Sequence, residues 1–205
     1  MKPAAPISID GPAGRLEIAI NDPGPPYRGV AVIAHPHPLH GGTLDNKVVV
    51  TLAKAFFRLD FYCLRPNYRG VGGSEGSYDE GRGEVEDALA ATHYARRDKH
   101  ELPLVLAGFS FGACVQAKAE HRLRVEGLAA RLVLVAPVVS HSDFPELPQD
   151  TLLIHGEHDE VQPFSQVLEW AKPRHLPVVV VAGSSHFFHG CLNVLASIID
   201  NYFRA

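Results

Sequence analysis

Leu104-Val105-Leu106-Ala107-Gly108-Phe109-Ser110-Phe111-Gly112 decides the reading of this 205-residue chain. An apolar run leads into Gly-x-Ser-x-Gly, and the small-residue segment Ala113-Cys114-Val115-Gln116-Ala117 follows. This is the pattern of a strand that turns sharply into a helix with a serine at its apex. Such a turn strains the backbone of Ser110 and projects its hydroxyl outward. Gly108 and Gly112 carry no Cβ, which lets strand and helix approach closely. A serine hydroxyl is a weak nucleophile at neutral pH, so this one needs a base and an acid that orients the base.

Outward from that turn, strands alternate with helices. Ile7–Asp10 and Arg15–Ile20 flank Gly11-Pro12-Ala13-Gly14 and read as an antiparallel hairpin. Val30–Ala34, Phe61–Arg65, Leu104–Ala107, Leu132–Ala136, Leu152–His155 and Val178–Ala182 are short apolar runs, as in strands buried on both faces. Asn46 to Arg58 predicts a helix with Val49, Leu52, Ala53 and Phe56 on one face. Gly83 to Arg97 predicts another, with Val85, Ala88, Leu89 and Thr92 as its stripe. The helix after Ser110 runs to about His121, and Phe164 to Ala171 forms a short one. Leu192, Leu195, Ile199 and Tyr202 mark the face of a C-terminal helix. The alternation predicts one α/β domain over residues 1–205, with a mostly parallel sheet of about seven to eight strands and helices on both sides. Sites in such sheets form at the carboxyl ends of the strands.

Composition narrows the function classes. The formal net charge is -4, which removes any electrostatic case for nucleic acid. No apolar run approaches the roughly 20 residues of a membrane span. Met1-Lys2-Pro3-Ala4-Ala5-Pro6 lacks the apolar stretch of a secretion signal, so a cytoplasmic location is expected. Cys63, Cys114 and Cys191 have no paired spacing and read as buried thiols rather than disulfides.

The partners for Ser110 follow later strands. The loop His155-Gly156-Glu157-His158-Asp159-Glu160-Val161-Gln162-Pro163 offers an orienting carboxylate. Asp159 is the choice, with Glu157, Glu160 and Asp143 as rivals. After the last strand comes Gly183-Ser184-Ser185-His186-Phe187-Phe188-His189-Gly190. His186 is the expected base, being nearer the strand end and flanked by small residues, with His189 as its rival. The order Ser110, Asp159, His186 is that of α/β-hydrolases. One oxyanion donor is expected at the Phe111 amide, next to the nucleophile. The other should lie in His35-Pro36-His37-Pro38-Leu39-His40-Gly41-Gly42. Proline has no N–H, which leaves His37 as the best donor and Leu39 as the next.

Two competing readings exist. His35, His37 and His40, with His155 and His158, could bind zinc, but no carboxylate pattern completes a known metal motif, so no metal is assigned. Asn67-Tyr68-Arg69-Gly70-Val71-Gly72-Gly73-Ser74-Glu75-Gly76 could cradle a phosphate, yet it has neither the P-loop ending nor dinucleotide-loop spacing. A structural loop anchored by Arg69 is the preferred account.

Taken together, the histidine-proline loop at 35–42, Asn67-Tyr68-Arg69-Gly70-Val71-Gly72, the elbow at 108–112 and His186-Phe187-Phe188-His189-Gly190 resemble the α/β-hydrolase superfamily. Within it, the chain resembles small lidless bacterial hydrolases related to dienelactone hydrolase. The resemblance implies a Ser110–His186–Asp159 triad, oxyanion donors at His37 and Phe111, and no cofactor. It departs from dienelactone hydrolase itself, whose nucleophile is cysteine. The gap between Pro137 and Thr151 is too short for the cap domain that many of these enzymes insert there. An open pocket walled by Tyr68, Phe111, Phe187 and Phe188 is expected. The expected activity is cleavage of small carboxylic esters by a carboxylesterase-like serine hydrolase acting as monomer or homodimer. A thioesterase or amidase with the same triad, or a non-catalytic binding protein of this fold, is the alternative.

Overall fold

The computed structural model describes residues 5–140 and 143–204, so residues 1–4, on which part of the N-terminal reading rests, lie outside the description. The chain runs β1 (Ile7–Gly11), β2 (Gly14–Asn21), β3 (Gly29–Ala34), α1 (Lys47–Arg58), β4 (Phe61–Pro66), α2 (Arg82–Arg96) and β5 (Leu104–Phe109). It continues with α3 (Phe111–Val125), β6 (Arg131–Val135), β7 (Leu152–Gly156), α4 (Phe164–Ala171), β8 (Val178–Val181) and α5 (Leu192–Arg204). The eight strands form one sheet in the order β1-β2-β4-β3-β5-β6-β7-β8. The β1–β2 and β2–β4 pairs are antiparallel, and every later pair is parallel.

The central strands β3, β4 and β5 are buried along their whole length. Their side chains alternate between two cores, one on each face of the sheet. Val30, Val32 and Ala34 join the core packed by α2, α3 and α4, while Ala31 and Ile33 join the one packed by α1 and α5. A two-sided core is why these strands read as unbroken apolar runs.

Register brings the strand ends to one level. Ala34 of β3 pairs with Gly108 of β5, and Phe109 pairs with Val135 of β6. The loops after β3, β5, β7 and β8 therefore meet at the carboxyl edge of the sheet. Between β6 and β7 the described residues form no helix or strand and build no cap over that edge. Among the described residues, no helix is long and apolar enough to cross a membrane.

Candidate active site

Ser110 sits between β5 and α3 with φ 57° and ψ −120°. For a residue with a Cβ that conformation is strained and needs support from its surroundings. The Ser110 N–H donates to Val135 O at 2.9 Å, which ties the turn to β6. A Cβ on Gly108 would strike the Gly112 backbone, and one on Gly112 would strike the carbonyls of Ala34 and His35. Both glycines are thus required by close approach, as their spacing implied.

The loop after β8 delivers His186, which is 2 % exposed. Its Nε2 lies 3.0 Å from Ser110 Oγ, and its Nδ1 lies 2.8 Å from Asp159 Oδ2. An ionised carboxylate can only accept, so Nδ1 carries the proton and Nε2 is free to accept from the serine hydroxyl. Asp159 is itself fixed: its Oδ1 accepts from the N–H groups of Val161 at 2.9 Å and Gln162 at 2.8 Å. Burial pushes its carboxyl up, but the His186 hydrogen bond, the Gln162 N–H and the two neighbouring imidazoles outweigh burial and hold it below the ordinary value.

The rival residues have other work. Glu160 accepts from the His186 N–H at 3.2 Å, and Glu157 accepts from the Gly183 N–H at 2.8 Å. His189 stacks on Phe187 at 5.9 Å, and Asp143 lines the neighbouring cavity.

His37 caps a single 3-10 turn with φ −53° and ψ 124°, and Phe111 opens α3. The N–H groups of both lack a protein partner among the described residues. Their rings lie 4.9 Å apart, so the two donors expected from sequence belong to adjoining loops.

Of the histidines in the zinc reading, His35 and His155 are held by hydrogen bonds inside the fold. His35 is fully buried; its Nδ1 donates to Pro36 O at 2.7 Å and its Nε2 accepts from the Tyr68 N–H at 3.1 Å. Burial lowers its pKa to about 4. His155 donates from Nε2 to Gln162 O at 2.8 Å and stands 3.4 Å from Asp159 Oδ2. Burial lowers its pKa as well. His40 stacks on His37, and His158 uses its backbone N–H on Ser184 O. Among the described residues, no group of three His, Cys, Asp or Glu side chains is arranged to hold a metal ion. Arg69 is the loop anchor: its Nε and Nη2 grip the two oxygens of buried Asp87 at 3.0 and 2.9 Å, and its N–H adds a third bond at 2.8 Å.

A cavity of about 580 Å³ opens beside Ser110. Of the four expected walls, only Phe111 lines it. Tyr68 is fully buried beneath, its ring 4.3 Å from that of His35. Phe188 is fully buried in the core under α5, because its φ of 53° turns the side chain inward. Phe187 is 40 % exposed and packs on Phe109 and His186 outside the cavity. The walls are instead His37, His40, Tyr78, Val115, Val138 and Val161, with Lys118, Glu80 and Asp143 also present. Sequence reasoning missed Tyr78. The available signal was a second aromatic, ten residues after Tyr68, in the Gly- and Ser-rich loop after β4, at the edge where the other site loops meet.

Comparisons with known proteins agree with this fold. The sequence profile of the serine aminopeptidase S33 family matches residues 31–149. An α/β serine hydrolase homologue from Coxiella burnetii is 42% identical, covers 98% of each chain and superposes with a TM-score of 0.89. A serine hydrolase without a lid from Xanthomonas campestris is 33% identical over 100% of this chain and 95% of its own, with a TM-score of 0.90. A Rickettsia prowazekii protein is 30% identical over 209 residues, spanning 96% of this chain and 87% of its own. The chain belongs to the serine aminopeptidase S33 family of the α/β-hydrolase superfamily, a family of serine hydrolases.

Proposed function

We propose that this protein hydrolyses small carboxylic esters through an acyl-enzyme on Ser110. The observation that carries this reading is the unbroken relay from Ser110 Oγ through His186 to Asp159, at 3.0 and 2.8 Å. In the reaction, His186 Nε2 takes the hydroxyl proton as Ser110 Oγ attacks the ester carbonyl. Asp159 holds the imidazole in the required tautomer and stabilises the imidazolium. The carbonyl oxygen becomes an oxyanion and accepts from the N–H groups of His37 and Phe111, the second aided by the α3 N-terminus. Collapse of the intermediate expels the alcohol, which leaves with the proton from His186. Water then attacks the acyl-enzyme through the same base and releases the acid.

The lidless edge and the cavity size suit a short acyl group with the alcohol side left in solvent. Serine hydrolases of this design also cleave thioesters and amides, so a panel of matched oxyester, thioester and amide substrates ranks the three. The deciding experiment is treatment with a fluorophosphonate and mapping of the adduct by mass spectrometry. A covalent adduct on Ser110 that disappears in His186→Ala is expected. A folded wild-type protein that takes no adduct would overturn the reading.

A further inference from the structure

The cavity wall contains a hydrogen-bond donor that the Ser110–His186–Asp159 relay does not use. The Leu39 N–H donates to His37 Nδ1 at 3.2 Å, so that nitrogen carries no proton. A neutral imidazole then bears its proton on Nε2. His37 Nε2 lies 3.2 Å from the Tyr78 hydroxyl oxygen. The imidazole must therefore be the donor in this contact and the phenol oxygen the acceptor. The phenol proton is left without a partner among the described residues, since His37 is the hydroxyl's hydrogen-bond partner there. The surroundings keep both rings in these states. Burial and the adjacent His40 lower the His37 pKa, and burial with Glu84 and Glu80 raises that of Tyr78.

Tyr78 is also held in place. Its ring lies 5.0 Å from that of His37 and 6.1 Å from that of Phe111, and all three residues line the cavity with Ser110. Glu84 is engaged elsewhere: its two oxygens accept from the N–H groups of Asp79 and Gly81 at 2.9 and 2.7 Å, and the Tyr78 hydroxyl is hydrogen-bonded to His37 instead.

We infer that Tyr78 is a specificity-determining residue whose hydroxyl donates to an acceptor oxygen on the acyl part of the substrate. This rests on the ester-hydrolase reading above and narrows its substrate class to acyl groups carrying an ether, keto or hydroxyl oxygen. The charges at the wall favour a neutral oxygen over a carboxylate, because Lys118 is outnumbered by Glu80 and Asp143.

The test compares wild type with Tyr78→Phe on pairs of nitrophenyl esters matched in length. The pairs are methoxyacetate with butanoate and methoxypropanoate with pentanoate. The quantity read is the ratio of kcat/KM for the ether ester to that for the alkyl ester. Intrinsic reactivity cancels when the ratio is compared between the two proteins. One neutral hydrogen bond predicts a ratio about tenfold lower in Tyr78→Phe for at least one pair. A ratio within about twofold of wild type for both pairs overturns the inference, whether or not overall activity falls. Fluorophosphonate labelling of Ser110 in both proteins keeps the two readings apart. Labelling with an unaltered ratio rejects the role of Tyr78 alone, whereas absence of labelling in wild type rejects the hydrolase reading beneath it.

Discussion

Ser110 stands at positive φ in a turn that alanine would strain in the same way, so Ser110→Ala removes the oxygen proposed to attack and little else. Turnover should fall by up to ~10⁶, with the thermal melt unchanged. A loss of tenfold or less in a steady-state assay would show that the hydroxyl is not the nucleophile. The placement of Ser110, Asp159 and His186 was legible in the sequence because each lies within a few residues of the end of a parallel strand, so strand direction carried all three to one edge. The cavity walls were not. Phe187 and Phe188 are neighbours, yet one faces solvent and the other enters the core. A single left-handed residue decides between them, and no periodicity encodes that choice in an irregular loop. Tyr78 lies in a loop whose path is set by distant contacts, among them the grip of Arg69 on Asp87.

The β5–α3 unit was readable at its start and obscure at its end. The glycine pair and the apolar run fixed where the strand stops and the helix begins. The helix was expected to stop near His121 but continues to Val125, so that Leu123 is fully buried. Its stripe was hidden because Gln116 and Glu120 are buried too, Gln116 donating from Nε2 to Val32 O at 3.0 Å. Polar residues in a packed face break the pattern from which a helix is read. Gly112 tests how closely the unit must approach β3. Gly112→Ala places a methyl against the Ala34 and His35 carbonyls and forces the start of α3 outward. Urea unfolding should show a loss of about 1–3 kcal/mol. Turnover should fall as well, since the Phe111 N–H moves with the helix. Wild-type stability in this variant would mean that the contact relaxes freely.

Stability of the molecule as a whole should depend on acid through His35. Its pKa is about 4 in the fold against 6.5 for a free imidazole. The unfolded chain therefore binds the extra proton first, and stability rises with pH across that window. The contribution is complete above about 6.5 and is lost as the pH falls to about 4, amounting to about 3 kcal/mol. Unfolding free energies measured from pH 7 downward should follow this slope in wild type, and His35→Gln should flatten it. Equal slopes would show that protonation of His35 leaves the fold indifferent. What is lost with this bond is the tie between the loops after β3 and β4, through Tyr68.

Among the described residues the sheet ends at β8, four consecutive valines whose outer backbone groups have no neighbouring strand there. An open, apolar border of that kind is a template on which another chain could add itself, the first step towards fibrils. Pro177 stands immediately before it, and Gly183, at φ 69°, turns the chain away two residues after it. Shortness is thus the safeguard against self-assembly, and the same four residues that complete the sheet are too few to recruit a stranger.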